Sequence, residues 1–248
     1  VVPDIAGGYL YTYSPDGHPR GEVPSTIAPE ARHRRFGAPM AVCGYDPGPG
    51  ADTLGPIRLR VLVTEALSHA VSASRLRLVT ERREQLATVD GLRGRPGQFD
   101  YASGSAVQGP TDERVLWVGD GGNTRAQHTE PDFDDPMSPT ALTANQFPAT
   151  VETWHPDGET YLFVADYTAD AVAFDDDRQI HCYRLVGREP EHILSFGSWG
   201  YFGDETRLPR EMDVEPLGPD RARLHVADSL NGRIATWTVD RRQAAVVD

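Results

Sequence analysis

One stretch of the sequence decides the fold: Val226-Ala227-Asp228-Ser229-Leu230-Asn231-Gly232-Arg233-Ile234. It is typical of the end of a strand, an acidic residue, a tight turn and the start of the next strand. The pattern recurs four more times, with its acidic residue at Asp4, Glu65, Asp120 and Asp166. Successive acidic residues are 61, 55, 46 and 62 residues apart, so each interval has room for about four short strands with their loops.

The segments around these turns favour β-strands. Four of the five residues 160–164 are β-branched or aromatic, and this segment leads into Asp166. Residues 233–239 alternate their side chains with a period of two. Helical periodicity is weak, and it predicts only two short helices, at residues 28–36 and 80–86. Four-stranded units repeated at this spacing are typical of the blades of a β-propeller.

Two of the repeats carry further residues at matching positions. Gly97-Gln98-Phe99 precedes Asp120 with Asn123 and Arg125, and Leu208-Pro209 precedes Asp228 with Asn231 and Arg233. Both resemble the NHL repeat, which the other three copies match more loosely. The resemblance spans nearly the whole chain and implies an all-β, NHL-like β-propeller in one domain, residues 1–248. It implies no single activity, because NHL-like propellers are similar to amidating lyases, calcium-dependent lactonases, strictosidine-synthase-like enzymes and docking domains.

The repeat predicts about five blades, with the first blade incomplete. The residues before Asp4 and after Asp228 are together too few for a full interval, so one blade lacks its inner strand. Residues 244–247 are then expected to pair near the first blade and close the ring. The alternative is a six-bladed propeller with residues missing upstream of Val1.

Composition excludes several kinds of chemistry. The chain of 248 residues contains no lysine, so Schiff-base and P-loop lysine chemistry are excluded. Its net charge of -13 disfavours nucleic acid and favours calcium or a cationic ligand. No apolar run is long enough to span a membrane. The two cysteines, Cys43 and Cys182, allow at most one long-range bridge and no disulfide framework. We expect a soluble protein, either cytoplasmic or secreted after removal of a leader, with no nucleotide or organic cofactor.

The acidic residues divide into two groups. Asp120, Asp166 and Asp228 end strands, where a carboxylate accepts backbone hydrogen bonds from the turn it begins, so their role is interpreted as structural. Glu152, Glu211 and Asp213 depart from the repeat on presumed inner strands. We expect Glu152 and Asp213 to ligate calcium, or Glu152 and Glu211 to act as acid or base beside Arg210, which would hold an anion. Alternatively, these residues line a water-filled channel.

Other candidates are weaker. His69 lies in a predicted turn at the same face and is the best candidate for a histidine base. Zinc is disfavoured because the inner strands carry Val42, Ala106, Glu152 and Asp213 rather than histidine. No serine lies in a nucleophile elbow. Residues 196–205 form an aromatic and glycine-rich loop that covers the channel or packs between blades. The residues expected to bind substrate are Arg35, Tyr101, Tyr167, Trp199 and Tyr201.

The sequence therefore predicts an enzyme that converts a small organic molecule, of lyase, lactonase or other hydrolase, or cyclase type. Its site is acidic, with calcium as a candidate ligand, and is expected at the propeller mouth. The alternative is a non-catalytic propeller that binds a protein or peptide.

Overall fold

The computed structural model describes residues 2–4, 9–14, 16–23, 39–45, 59–65, 70–77, 82–89, 96, 98–109, 114–129, 138–142, 147–167 and 178–247. These residues form nineteen strands in five antiparallel sheets. Two short 3-10 turns, Gly121–Asn123 and Ser229–Asn231, follow the second strands of two sheets. Within the described ranges no helix is long and apolar enough to cross a membrane.

In all five sheets the strands follow one another in chain order from one edge to the other. The first sheet contains β1 (Val2–Asp4), β2 (Tyr9–Tyr13) and β3 (Pro19–Val23). The second contains β4 (Pro39–Tyr45), β5 (Leu59–Glu65), β6 (Ala70–Arg77) and β7 (Arg82–Val89). The third contains β8 (Ala102–Gln108), β9 (Val115–Asp120), β10 (Arg125–Thr129) and β11 (Ser138–Ala141). The fourth contains β12 (Pro148–Trp154), β13 (Thr160–Asp166), β14 (Arg178–Val186) and β15 (Glu189–Ser198). The fifth contains β16 (Pro209–Pro216), β17 (Arg221–Asp228), β18 (Arg233–Asp240) and β19 (Ala245–Val247).

The sheets are arranged radially. The first strand of each four-stranded sheet contacts the first strand of the next, so that β4 meets β8, β8 meets β12 and β12 meets β16. First strands that meet around a common axis are the inner strands of a β-propeller. The prediction of an all-β propeller is therefore confirmed.

The first sheet lacks an inner strand among the described residues. Asp4 ends β1 just as an acidic residue ends β5, β9, β13 and β17. In addition, β1 contacts β4 in the way that β5 contacts β8 and β9 contacts β12. β1 therefore occupies the position of a second strand, as the incomplete first repeat predicts.

Two local predictions are wrong. Residues 245–247 do not pair with the first sheet but form β19, which pairs with β18 as the fourth strand of the fifth sheet. Residues 82–89 form strand β7 rather than the helix predicted at residues 80–86, because pairing with β6 satisfies their backbone. The other predicted helix, at residues 28–36, lies outside the described residues.

Each inner strand of the four complete sheets has a bulge close to its start. The pairing register shifts between Pro39 and Ala41 in β4, and equivalent shifts occur in β8, β12 and β16. In each second strand, the residue three positions before the acidic residue pairs with an inner-strand residue beyond the bulge. These inner-strand residues are Cys43, Ala106, Glu152 and Asp213. The bulges thus bring these four residues to the same level around the axis.

The core lies between neighbouring sheets. Trp237 of β18 and Phe196 of β15 belong to one buried cluster, which joins the fourth and fifth sheets. Trp117 of β9 and Tyr183 of β14 belong to a second cluster, which joins the third and fourth sheets. Both faces of β9 and β13 are covered, so their apolar runs are buried almost completely. In β18 burial alternates, and Ile234 is exposed.

Candidate functional site

The acidic residues of the repeat hold the sheets together. The buried carboxylate of Asp120 accepts hydrogen bonds from the backbone N of Asp100 at 2.8 Å, Nδ2 of Asn123 at 2.9 Å, Nε of Arg125 at 2.8 Å and Nε2 of Gln127 at 3.0 Å. Asp120 therefore has the structural role that the sequence predicts. However, the backbone amide that donates to it is that of Asp100, in the segment before β8, and not an amide of the turn that Asp120 begins. The carboxylate therefore ties the end of the second strand to the start of the first.

Asp228 repeats this arrangement in the fifth sheet. It accepts hydrogen bonds from the backbone N of Arg207 at 3.0 Å, Nδ2 of Asn231 at 2.7 Å and Nε of Arg233 at 3.1 Å. Burial raises the pKa of Asp228, but these hydrogen bonds outweigh burial and hold the pKa below its usual value. Asp166 accepts from the backbone N of Phe147 at 3.3 Å. The carboxylates of Asp120 and Asp228 are satisfied by these structural hydrogen bonds, so the candidate chemistry of the channel lies with the acids that depart from the repeat.

Those acids line a cavity of about 490 Å³ on the propeller axis, which we call the axial cavity. All four inner strands of the complete sheets contribute to its wall. The lining residues are Val42, Cys43, Ser105, Val107, Gly109, Arg114, Glu152, Glu211, Met212 and Asp213. The volume is in the range of small-molecule sites. Glu152, Glu211 and Asp213, expected to converge from their positions in the sequence, thus share one cavity.

The axial cavity lies toward one end of the channel. We call the end at which the inner strands begin the leading face, where Ala102, Pro148 and Pro209 pair with the acidic residues. Gly109 and Arg114 lie on the connection between β8 and β9, which is at the opposite end. Near the leading face the inner strands β8 and β12 approach each other closely. A Cβ atom added to Gly104 would lie only 2.4 Å from the Cα of Thr150.

Glu152 and Glu211, two of the carboxyl groups of the axial cavity, have raised pKa values. Burial raises the pKa of Glu152 to about 7, with a further increase from the charge of Asp213 and a decrease from the hydrogen bond that the backbone N of Thr153 donates. Burial and then the charge of Glu152 raise the pKa of Glu211 to about 8. Desolvation and like charges both disfavour the ionised form. Near neutral pH this cavity therefore holds exchangeable protons that ordinary surface carboxylates have lost.

Cys43 lies at the same level as Glu152 and Asp213. Burial, followed by the charges of Glu152 and Glu211, raises the pKa of its thiol to about 12. A thiol with so high a pKa is a poor nucleophile at neutral pH, because the thiolate is the reactive form. Cys43 is therefore part of the cavity wall.

A calcium centre needs six to eight oxygen ligands. In the part of the chain that the structure describes, no group of three or more His, Cys, Asp or Glu residues is placed to hold a metal ion. Glu152 and Asp213 alone offer fewer ligands than such a centre needs.

Four of the five predicted substrate-binding residues fall into two groups outside the axial cavity. At the leading face, the ring of Phe147 lies 5.5 Å from that of Tyr101 and 5.8 Å from that of Tyr167. The guanidinium of Arg210 lies 5.9 Å from the centre of the Tyr167 ring. Tyr101, Tyr167 and Arg210 therefore form one cluster around Phe147, separate from the carboxyl groups with which they were expected to lie.

Trp199 and Tyr201 form the second group, on the connection between β15 and β16. The guanidinium of Arg207 stacks on both rings, 5.1 Å from Trp199 and 4.4 Å from Tyr201. Tyr201 and Phe202 are 53% and 78% exposed. This loop therefore presents aromatic side chains to solvent and does not line the axial cavity.

His69 and Arg35 lie outside the described residues. Cys43, Arg114, Phe147 and Arg207 belong to the site or its surroundings and were missed. Cys43 had a usable signal, because it lies four residues after Pro39, just as Glu152 lies four residues after Pro148. The positions of the other three depend on loop conformation, for which the sequence has no periodic signal.

No protein-family profile and no curated protein sequence matches the chain. Similar solved structures include hydrazine synthase from Kuenenia stuttgartiensis, with 14% identity and a TM-score of 0.53, covering 86% of this chain and 49% of that one. A putative 6-phosphogluconolactonase from Bacteroides uniformis has 14% identity and a TM-score of 0.51, covering 97% and 76%. A protein of unknown function from Bacteroides caccae has 10% identity and a TM-score of 0.51, covering 97% and 74%.

The chain spans about half of the hydrazine synthase chain. At these identities the likeness concerns the fold alone. The β-propeller architecture therefore has independent support, and any function has to be argued from the site.

Proposed function

We propose that this chain is an enzyme that converts a small organic molecule in the axial cavity by acid–base catalysis. The observation that carries this proposal is the pair Glu152 and Glu211, two carboxyl groups in one cavity whose pKa values are raised to about 7 and about 8. Such values lie close to neutral pH, where proton transfer by a carboxyl group is most effective.

The coupling of the pair supplies both roles. When one of two neighbouring carboxyl groups ionises, its charge raises the pKa of the other, as the charge of Glu152 does for Glu211. One group of the pair therefore acts as the general base and the other as the general acid. Lyase, hydrolase and cyclase reactions all use a group that removes a proton and a group that returns one.

The cavity limits the substrate. A volume of about 490 Å³ holds a molecule of metabolite size. The wall contains three carboxyl groups and one guanidinium, that of Arg114, so a neutral or cationic molecule is favoured over a polyanion. The NHL-like repeat around Asp120 and Asp228 agrees with this proposal, because some propellers of that kind are enzymes.

The test compares Glu152→Gln and Glu211→Gln with the wild type on a panel of lactones, esters and hydroxy acids, followed by pH-stat and mass spectrometry. Each substitution removes the proton-transfer group and keeps its shape, so turnover should fall by about 10²–10⁴-fold. Glu215→Gln is the matched control, since Glu215 lies on the same strand as Glu211 but pairs with Arg223 at the surface. Equal turnover in all four proteins, or none in the wild type, would refute the proposal.

Calcium at Glu152 and Asp213 stays a prediction with its own test. Isothermal titration with calcium chloride should show binding that Asp213→Asn weakens if these carboxylates are ligands. Absence of binding at millimolar calcium would remove the ion from the site and leave the acid–base proposal unaffected.

The exposed aromatic loop favours a second candidate function, docking of a protein or peptide. The loop is held rigidly: Nδ2 of Asn231 donates to the O of Gly200 at 2.8 Å, and the backbone N of Phe202 donates to Glu205 at 2.8 Å. Rigid exposed aromatic side chains are typical of binding surfaces. A partner whose binding is lost in Tyr201→Ser with Phe202→Ser, and kept in Glu152→Gln, would support this function instead of catalysis.

A further inference from the structure

A chain of polar side chains crosses the fourth sheet, away from the axial cavity. Oγ of Ser195 lies 2.8 Å from Nδ1 of His181 and 2.8 Å from Nε2 of His192. Nε2 of His181 in turn lies 3.6 Å from Oδ2 of Asp166. Four residues of three strands, β13, β14 and β15, thus form a continuous series.

The sheet register brings these residues to one face. Ser195 is the direct cross-strand partner of His181, and the register shift beside Cys182 and Leu194 brings His192 to the same side of β15. His181 and Asp166 are each 2% exposed and Ser195 is 8% exposed, whereas His192 is exposed. The series therefore runs from solvent at His192 to a buried carboxylate.

The proton positions follow from the partners. The carboxylate of Asp166 faces Nε2 of His181, which has no hydrogen-bond partner within range, so the proton of the neutral imidazole is favoured on Nε2. Nδ1 is then an acceptor, and the hydroxyl of Ser195 donates to it. His192 donates from Nε2 to the same hydroxyl oxygen, which satisfies Ser195 in both directions.

A hydroxyl that donates to an imidazole whose other nitrogen faces a carboxylate, here at 3.6 Å, has the partners of an activated nucleophile. We propose that Ser195 is a nucleophile for carboxylic esters, with His181 as its base and with Asp166 and His192 as positioning residues. Ser195 is not part of the wall of the axial cavity, so this activity is separate from that of Glu152 and Glu211.

Besides the ester, water is the only reactant that the reaction needs. Oγ of Ser195 bonds to the ester carbonyl carbon while its proton passes to Nδ1 of His181. That proton then leaves with the alkoxide as the carbon–oxygen bond of the ester breaks. Water, deprotonated by the same imidazole, hydrolyses the acyl group and regenerates the hydroxyl.

A fluorophosphonate probe tests this directly, because its reaction needs only the nucleophile and base. Oγ bonds to phosphorus, fluoride leaves, and His181 takes the proton. The full-length chain is treated with the probe and digested with trypsin, and the peptide between Arg188 and Arg207 is sequenced by mass spectrometry. We expect an adduct on Ser195. Ser195→Ala should abolish it, and Ser198→Ala, on the same strand, should retain it.

Variants of the base separate an activated serine from a merely structural one. His181→Asn and His181→Gln should each slow labelling by about 10³-fold or more, while His192→Gln should change the labelling rate without abolishing the adduct. A thermal melt of each variant establishes that it is folded, and either folded His181 variant is sufficient. Absence of an adduct on Ser195 in the folded wild type, or unchanged labelling in a folded His181 variant, would overturn the proposal.

Discussion

At the scale of single residues, the same chemical group has two roles that depend on its partners. Asp120 and Asp228 accept several hydrogen bonds and act as structural ties. Glu152 and Glu211 are buried in the axial cavity, and burial raises the pKa of both; the charge of Asp213 adds to the effect on Glu152, and the charge of Glu152 adds to the effect on Glu211. A carboxyl group in this second environment keeps its proton near neutral pH and is available for catalysis.

The coupling between the two glutamates predicts the effect of removing one charge. Glu152→Gln should lower the pKa of Glu211, because the like charge that raises it is gone. Titration of the side-chain carboxyl carbons by NMR measures this pKa directly. Glu215→Gln, at the surface of the same strand, should leave it unchanged. An unaltered pKa of Glu211 in Glu152→Gln would show that the two carboxyl groups do not interact.

The structural acids predict a stability effect. Asp120→Asn removes a buried charge on which Asn123, Arg125 and Gln127 converge, so the free energy of unfolding should fall by about 3–5 kcal/mol. Glu191→Gln, which breaks an exposed pair with Arg184, should cost less than about 1 kcal/mol. Urea denaturation measures both values. Equal losses in the two variants would contradict the role assigned to Asp120.

At the scale of elements, the bulges of the inner strands decide what faces the channel. A strand without its bulge would be shifted by one residue, which turns each side chain to the other face. In β12 and β16 the bulges place Glu152 and Asp213 level with Cys43. The close contact of β8 with β12 at Gly104 then fixes the spacing of these strands.

This contact predicts the result of Gly104→Ala. The added Cβ would lie 2.4 Å from the Cα of Thr150, and because that atom is backbone the strands must move apart. The free energy of unfolding should fall by about 3 kcal/mol or more. Gly158→Ala is the control, since it has open space around the added Cβ but a φ of +80°, and it should cost about 1–2 kcal/mol. A smaller loss for Gly104→Ala than for Gly158→Ala would show that β8 and β12 are not in close contact.

At the scale of the whole molecule, the axial carboxyl groups link stability to pH. Their pKa values are higher in the folded chain than the ordinary 4.5, so the native state binds more protons. The stability that these groups contribute is present below about pH 4.5 and is lost as the pH rises through about 7 and 8. The acidic cavity thus destabilises the protein under the conditions in which it is proposed to act.

The double variant Glu152→Gln with Glu211→Gln tests this linkage. At pH 9 its free energy of unfolding should exceed that of the wild type by an amount on the order of a few kcal/mol, because two buried charges are removed. At pH 4.5 the two proteins should be nearly equal. Thermal denaturation of both proteins across this pH range measures the difference in stability between them. The contributions of other titrating groups, such as Asp228, are the same in both proteins and cancel. Parallel curves for the two proteins would contradict the raised pKa values.

The sequence by itself determined the strands, their turns and their repetition. Alternation around Asp228 and the residues at Asn231 and Arg233 are local signals, because side-chain direction and turn chemistry depend on near neighbours in the chain. The same signals separated Asp120 from Glu152, since only the second departs from the repeat.

Only the tertiary structure decided where the chemical groups meet. The axial cavity, the separate cluster of Tyr101, Tyr167 and Arg210, and the series through Ser195 and His181 all join residues from different strands or sheets. Their positions depend on bulges and on packing between sheets, which are set by contacts distant in sequence. Burial and neighbouring charge, and therefore the pKa of Glu152 and Glu211, exist only once those contacts have formed.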